Sequence, residues 1–163
     1  MSDQKSELHF TVPGIPRPAP RARVDRGRGR PDASADEWMV AVRTAAFRAL
    51  KVTPAGGPSR QRAGSPIWTP PGFEVPFPYG PVSLECRFFF AIGDGPALMD
   101  LNSLSHDQKP DLSNLVKAVE DALGDWRKRG ALVWSDDCQV ASYVDVEKLW
   151  GREDGAFVRI RPL

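Results

Sequence analysis

The sequence predicts an α+β fold, a small mixed or mostly antiparallel sheet of about four strands with two main helices packed on it. Three observations predict it. Residues 34–51 and 109–125 carry apolar side chains at helical spacing. Residues 8–12, 81–92, 138–150 and 156–163 are rich in strand formers. These segments follow one another as strand, helix, strand, helix and two strands in a chain of 163 residues, long enough for one domain with a real core.

"LHFTV" alternates apolar and polar residues and reads as the first strand. "PGIPRPAPRARVDRGRGRP" is loop by its proline and glycine content. The first helix is "SADEWMVAVRTAAFRALK". Ser34 and Glu37 match a capping box, and Met39, Val42, Ala46 and Leu50 mark its apolar face. Residues 53–80 are too rich in proline and glycine for a regular element. Within a single domain spanning 1–163, a loop this long is uncommon and is usually functional or disordered. Its aromatics Trp68, Phe73, Phe77 and Tyr79 imply that part of it packs down. "PVSLECRFFFAI" is the second strand, and "GDGPALMDLNSLSHDQ" leads as a loop into the second helix. "WRKRGALVWSDD" reads as turn, short apolar piece and turn. "CQVASYVDVEKLW" is a third strand, with Cys138, Val140, Val144 and Val146 on one face and Gln139, Tyr143, Asp145 and Glu147 on the other. "AFVRIRPL" closes the sheet as the fourth strand.

Composition excludes several classes. Hydrophobic residues are 41% and charged residues 26%, which fits a globular chain rather than a disordered one. The two cysteines, Cys86 and Cys138, form no CxxC pair, so a Cys-rich zinc site and a disulfide framework are both excluded. His9 and His106 follow no metal-ligand spacing, and no Gly-rich phosphate loop ends in Lys-Ser/Thr. There is no signal-peptide core and no apolar run long enough for a bilayer, so the cytoplasm is the expected compartment and no membrane partner is expected. Net charge is +1, but Arg17, Arg21, Arg23, Arg26, Arg28 and Arg30 crowd one short stretch. Such an arm is either an anion or nucleic-acid contact or a solvated loop.

"KPDLSNLVKAVEDALGD" raises the functional question. At about 100° per residue, Leu112, Leu115, Val116, Val119 and Leu123 share one face of its helix. Asp111, Asn114, Lys117 and Asp121 form a neighbouring stripe. Pro110 suits the helix start, and Asp111 the N-cap or first turn, where the helix dipole favours an acid. In isolation this is also an ordinary solvated face, with Lys117 and Asp121 as an i, i+4 ion pair. "WSDDCQV" adds Asp136 and Asp137 one short turn after the helix. Hard divalent cations take one or two carboxylates with water and substrate phosphate, and a nearby lysine can bind the scissile phosphate.

"KPDLSNLVKAVEDAL", then "VWSDDCQV", then a strand ending in "VEK" resemble the RusA-like Holliday-junction resolvases, small endonucleases of bacteria and their phages. The Pro- and Arg-rich "VPGIPRPAPRARV", the "SADEW" helix and the lead-in "SHDQKPD" are similar to the family in the same order, and against that pattern 53–80 looks like an insertion. The resemblance implies a homodimer in bacterial or phage-infected cytoplasm that cleaves branched DNA near the crossover in recombination and repair. It implies Mg²⁺ as cofactor, with Mn²⁺ able to substitute. It assigns catalysis to Asp111, Lys117 and Asp137, metal binding to Asp111 and Asp137 with Asp136 beside them, and a supporting role to Asn114 and Asp121. Arg17, Arg21, Arg23 and Lys109 are the candidate phosphate contacts, and Arg127, Lys128 and Arg129 form a second basic cluster.

One position departs from the family pattern. Ser113 stands where a second aspartate is usual. A hydroxyl is a neutral, weaker metal ligand, so the site loses negative charge. The expectation is an active enzyme; the alternative is a catalytically weak or silent branched-DNA-binding protein.

Overall fold

The computed structural model describes residues 7–19, 24–25, 28–29, 33–55, 68–93, 105–125 and 128–163. The chain runs β1 (Leu8–Pro13), β2 (Val24–Asp25), β3 (Arg28–Gly29), α1 (Ala33–Leu50), β4 (Val82–Ala91), α2 (Leu112–Leu123), a 3₁₀ turn (Asp137–Gln139), β5 (Val140–Tyr143), β6 (Glu147–Gly151) and β7 (Gly155–Pro162). The fold is α+β with a mixed sheet, as the sequence predicts.

β4 is the spine of the sheet. It pairs antiparallel with β7 along one edge, from Val82 opposite Pro162 to Phe89 opposite Gly155. Along its other edge it pairs parallel with β5 and then with β6. A parallel neighbour requires a crossover, and the segment containing α2 supplies it. β1 closes the far side antiparallel to β7. Its strict alternation buries Leu8, Phe10 and Val12 and exposes His9, Thr11 and Pro13.

Three expectations need correction. The predicted third strand is broken into β5 and β6, which brings the main sheet to five strands. Asp145 takes a left-handed backbone, φ 49°, between β5 and β6, which an aspartate tolerates better than most residues. The break also undoes the predicted faces. Cys138 is exposed in the 3₁₀ turn, Val144 is exposed, and Val140 and Val146 are only half-buried. Second, the arginine-rich stretch read as loop contains a small ribbon, β2 paired antiparallel with β3. Third, Ser34 lies inside α1 rather than at its N-cap, since the helix includes Ala33. Cap positions shift easily by one residue.

One apolar cluster joins both helices to the inward face of the sheet. From α1 it takes Met39, Val42, Ala46 and Leu50, from α2 Leu115, Val116, Val119 and Leu123, and from the sheet Leu84, Phe88, Val158 and Ile160. Phe77, from the Pro/Gly-rich stretch, is buried in it and bridges Trp134, while Trp68 packs half-buried at its edge. No described helix is long and apolar enough to cross a membrane.

A charged residue sits inside this core. Arg43 is 0% exposed. Its guanidinium donates to Ala122 O at 2.8 Å and Gly124 O at 3.0 Å, carbonyls at the C-terminus of α2. It also donates to Thr69 Oγ1 at 3.1 Å and Gly130 O at 3.0 Å. Arginine's planar fork suits several fixed acceptors, and a cation is favoured at a helix C-terminus. Burial, and the nearby Arg129 after it, pull its pKa down to about 10, against the opposing pull of Asp125. Arg43 therefore stays charged at neutral pH. Gly130 completes the clamp. Its φ is +87°, and a Cβ there would lie 2.8 Å from Thr69 Cβ.

Arg43→Met should destabilise the protein by about 3 kcal/mol or more, because three carbonyls and the Thr69 hydroxyl lose their donor. Urea unfolding checks this. A drop below about 1 kcal/mol, less than one unsatisfied buried acceptor is worth, would mean the clamp is replaceable.

Candidate active site

The site is assembled from the two ends of α2 and the turn that follows it. At the N-terminus, Asp111 holds the N-cap position with φ −66° and ψ 137°. Its side chain does not cap the helix. Oδ2 instead accepts from Asn114 Nδ2 at 3.3 Å, and the Asp111 carbonyl accepts from the N–H groups of Asn114 and Leu115. Pro110 lies one residue before the cap, outside the helix. Lys148, on β6, donates to Gln108 O at 2.6 Å and Pro110 O at 2.9 Å. A strand lysine thus clamps the loop that presents Asp111. Sequence reading noted it only as the end of "VEK".

The helix C-terminus holds the acidic turn. Leu132 and Val133 both donate to Leu123 O, and Trp134 beside them is fully buried. This ties residues 132–134 to the end of α2, so Ser135, Asp136 and Asp137 emerge directly above the helix. Asp136 caps the 3₁₀ turn. Its Oδ1 accepts from Cys138 N at 2.9 Å, and that backbone hydrogen bond holds its carboxyl below the usual aspartate range. Gln139 completes the box, its Oε1 accepting from Ser135 N and Asp136 N.

Lys117 joins helix and turn. Its ammonium lies 2.9 Å from Asp121 Oδ1 and 3.0 Å from Asp137 Oδ2. The hydrogen bond to Asp121, joined by that to Asp137, holds the Lys117 pKa well above the usual lysine range, although its partial burial acts in the opposite direction. Lys117 is therefore a cation throughout the neutral range.

Glu120 is buried beside this pair, which the sequence did not single out. At 180° from Asp111 on the helical wheel it falls at the border between the apolar and polar faces. Tyr143, on β5, donates its phenol to Glu120 Oε1 at 2.7 Å. Desolvation raises the Glu120 pKa, and the Tyr143 hydrogen bond partly offsets it. The same bond pushes the Tyr143 phenol up to about 12. Glu120, Asp121, Asp125, Asp136 and Asp137 line an open acidic cleft of about 400 Å³.

The remaining predicted residues fall as follows. Ser113 is exposed in the first turn of α2, and Lys109 is exposed on the loop before it. Arg17 is exposed, and two residues on Ala19 N donates to Asn114 O at 3.0 Å. That bond brings the start of the arginine arm to the first turn of α2. Arg21, Arg23, Arg26, Arg30 and Arg127 lie outside the described residues. Arg129 stacks its guanidinium over Trp68, 5.9 Å from the ring centroid.

The donor set suits a hard divalent cation in kind, since Asp111 and Asp137 offer exposed carboxylate oxygens and Ser113 a hydroxyl. Among the described residues no three His, Cys, Asp or Glu side chains converge well enough to hold a metal ion. Mg²⁺ does not demand such a cage, because it keeps several waters and takes phosphate oxygens from substrate.

Residues 70–161, more than half of the chain, match the family described as "Endodeoxyribonuclease RusA". The match takes in the acidic turn, the whole of α2 and the last eleven residues of the stretch read as an insertion. No curated protein matches the chain significantly.

Glu120 should leave a mark on stability. Its folded pKa lies above the unfolded one, so its contribution is fully present below the ordinary glutamate pKa. That contribution is lost as pH rises through that value toward the folded pKa. Glu120→Gln should therefore gain on wild type in melting temperature between acid and neutral pH. Parallel melting curves would place the burial elsewhere.

Proposed function

This chain belongs to the RusA endodeoxyribonuclease family, and on that premise we propose that it is a metal-dependent, structure-selective endonuclease that hydrolyses phosphodiester bonds in branched DNA such as the Holliday junction. We read the whole chain as one such domain, acting as a homodimer in the cytoplasm of a bacterium or a phage-infected host. The observation that carries the reading is Lys117, held as a cation 3.0 Å from Asp137 on the helix that Asp111 opens.

Asp111 and Asp137 are the residues to hold Mg²⁺ or Mn²⁺, with the Ser113 hydroxyl and Asp136 at the margin. Such a cation supplies an oriented, acidified water and neutralises charge on phosphorus. The chain does the rest. Lys117 is charged before DNA arrives, so it serves as a phosphate ligand or proton donor to the leaving oxygen and not as a base. Asp121 keeps it charged and aimed along the helix. Asn114 orients Asp111 through its amide. Lys109, on the loop before the helix, and Arg17, on the segment that Ala19 ties to Asn114, offset the repulsion between phosphates and the acidic cleft.

A second reading rests on Ser113 and on the absence of three converging ligands among the described residues: a protein that binds branched DNA and cuts it weakly or not at all. A synthetic four-way junction and a linear duplex of the same sequence, each with EDTA, Mg²⁺ or Mn²⁺, separate the two. The enzyme should nick only the junction, symmetrically and only with metal. Binding without nicking under either metal would favour the second reading, and Ser113→Asp should then restore cleavage.

Asp111→Asn and Asp137→Asn should each abolish junction cleavage while junction binding in EDTA and the melting temperature stay near wild type. Full activity in either variant would remove it from the site. Replacing Arg17, Arg21 and Arg23 together with alanine should flatten the salt dependence of binding by up to about 3 in the log–log slope, roughly one per lost phosphate contact. An unchanged slope would detach the arm from DNA.

A further inference from the structure

Of the described Phe, Trp and Tyr side chains, the two exposed ones are Tyr79 and Tyr143, which are also the only tyrosines of the chain. Tyr79 is 87% exposed and Tyr143 is 56% exposed. Both are fastened to the acidic site. Gln139, whose Oε1 holds the backbone of Ser135 and Asp136, uses its Nε2 to donate to Phe77 O and Gly80 O, each at 3.1 Å. Ser135 Oγ donates to Pro78 O at 3.2 Å. One small set of hydrogen bonds therefore positions both the acidic turn and the backbone on each side of Tyr79. Phe77 anchors that turn in the core, and Gly80 closes it with φ +83°, which suits glycine. The ring of Tyr79 is left in solvent on a fixed base. Tyr143 is fixed differently, by its phenol on buried Glu120 at 2.7 Å, while its ring remains open to solvent.

The chemistry of the cleft explains why rings suit this place. Its five carboxylates repel phosphate, so a strand here gains little from further charge contacts of its own. A ring face binds a nucleobase without regard to charge or sequence, and it does so best where bases are already unstacked. Branch points supply such bases; an intact duplex does not.

Resting on the functional reading above, we infer that Tyr79 and Tyr143 are substrate contacts that stack on bases whose stacking is interrupted at the branch and so help to set the preference for branched over linear DNA.

The test uses the full chain in EDTA and a four-way junction carrying 2-aminopurine at the branch nucleotides, with the matching linear duplex beside it. Wild type should bind the junction and change the fluorescence of the probe. Tyr79→Ala should lose most of that change and bind the junction roughly ten-fold more weakly, a typical effect of losing one stacked base, with duplex binding unaltered. Tyr79→Phe should behave as wild type. Tyr143→Phe and Tyr143→Ala both lose the bond to Glu120, so a defect confined to the alanine variant reads the ring alone. Equal fluorescence and affinity in wild type and Tyr79→Ala would overturn this inference and leave the nuclease reading intact. A Tyr79→Ala defect that tracks a changed mass in light scattering would overturn it too, by assigning the ring to a contact between copies. Wild type that ignores the junction altogether would sink the nuclease reading first, and this inference with it.

Discussion

Arg43 is buried from α1 into the end of α2, and its guanidinium holds the last carbonyls of that helix, the Thr69 hydroxyl and the Gly130 carbonyl at once. A buried charge of this kind is tolerated only when fully hydrogen-bonded. Satisfying it forces three separated parts of the chain into one arrangement. The end of α2 is where residues 132–134 attach, and those residues deliver the acidic turn to Lys117. The geometry of the candidate site therefore depends on a buried arginine of α1.

Lys117 shows the complementary constraint. Two carboxylates within 3.0 Å keep it charged, and in the same act it neutralises part of a cleft that would otherwise repel both itself and DNA. In the proposed function, incoming phosphate competes with Asp121 and Asp137 for the same ammonium. A site that exchanges internal ion pairs for substrate contacts starts preorganised, because the lysine is already extended and aimed when substrate arrives. Lys148 gives the opposite end of α2 a comparable fixity by bonding the carbonyls on either side of Lys109.

Much of this was legible in the residues. Leu115, Val116, Val119 and Leu123 were identified as a buried face from their spacing alone, since a helix facing a core must present one apolar stripe. The pairing of Lys117 with Asp121 follows from four-residue spacing on one helix. Arg43 had a readable signal that went unused: it falls four residues after Met39 and three before Ala46, inside the apolar stripe of α1, where an arginine needs several partners. Glu120 had a weaker one, since it stands at the border of two faces and its partner, the Tyr143 phenol, comes from a strand distant in the chain. The interruption between β5 and β6 had none. "SYVDVEK" alternates as an unbroken strand would, but Asp145 turns to φ 49°, and Arg87 of the spine strand reaches it at 3.2 Å.

By itself the sequence determined the fold class, the two helices and the family, because periodicity, turn composition and motif spacing are local properties. Tertiary structure alone decided that Asp137 reaches Lys117 and not some other cation, that Asp136 spends an oxygen on a backbone N–H, and that Tyr79 stands in solvent while Phe77, two residues earlier, is buried. Each of these depends on where distant segments meet. That is set by filling one core and leaving no buried donor or acceptor unmatched, a condition imposed on the whole chain and written in no single stretch of it.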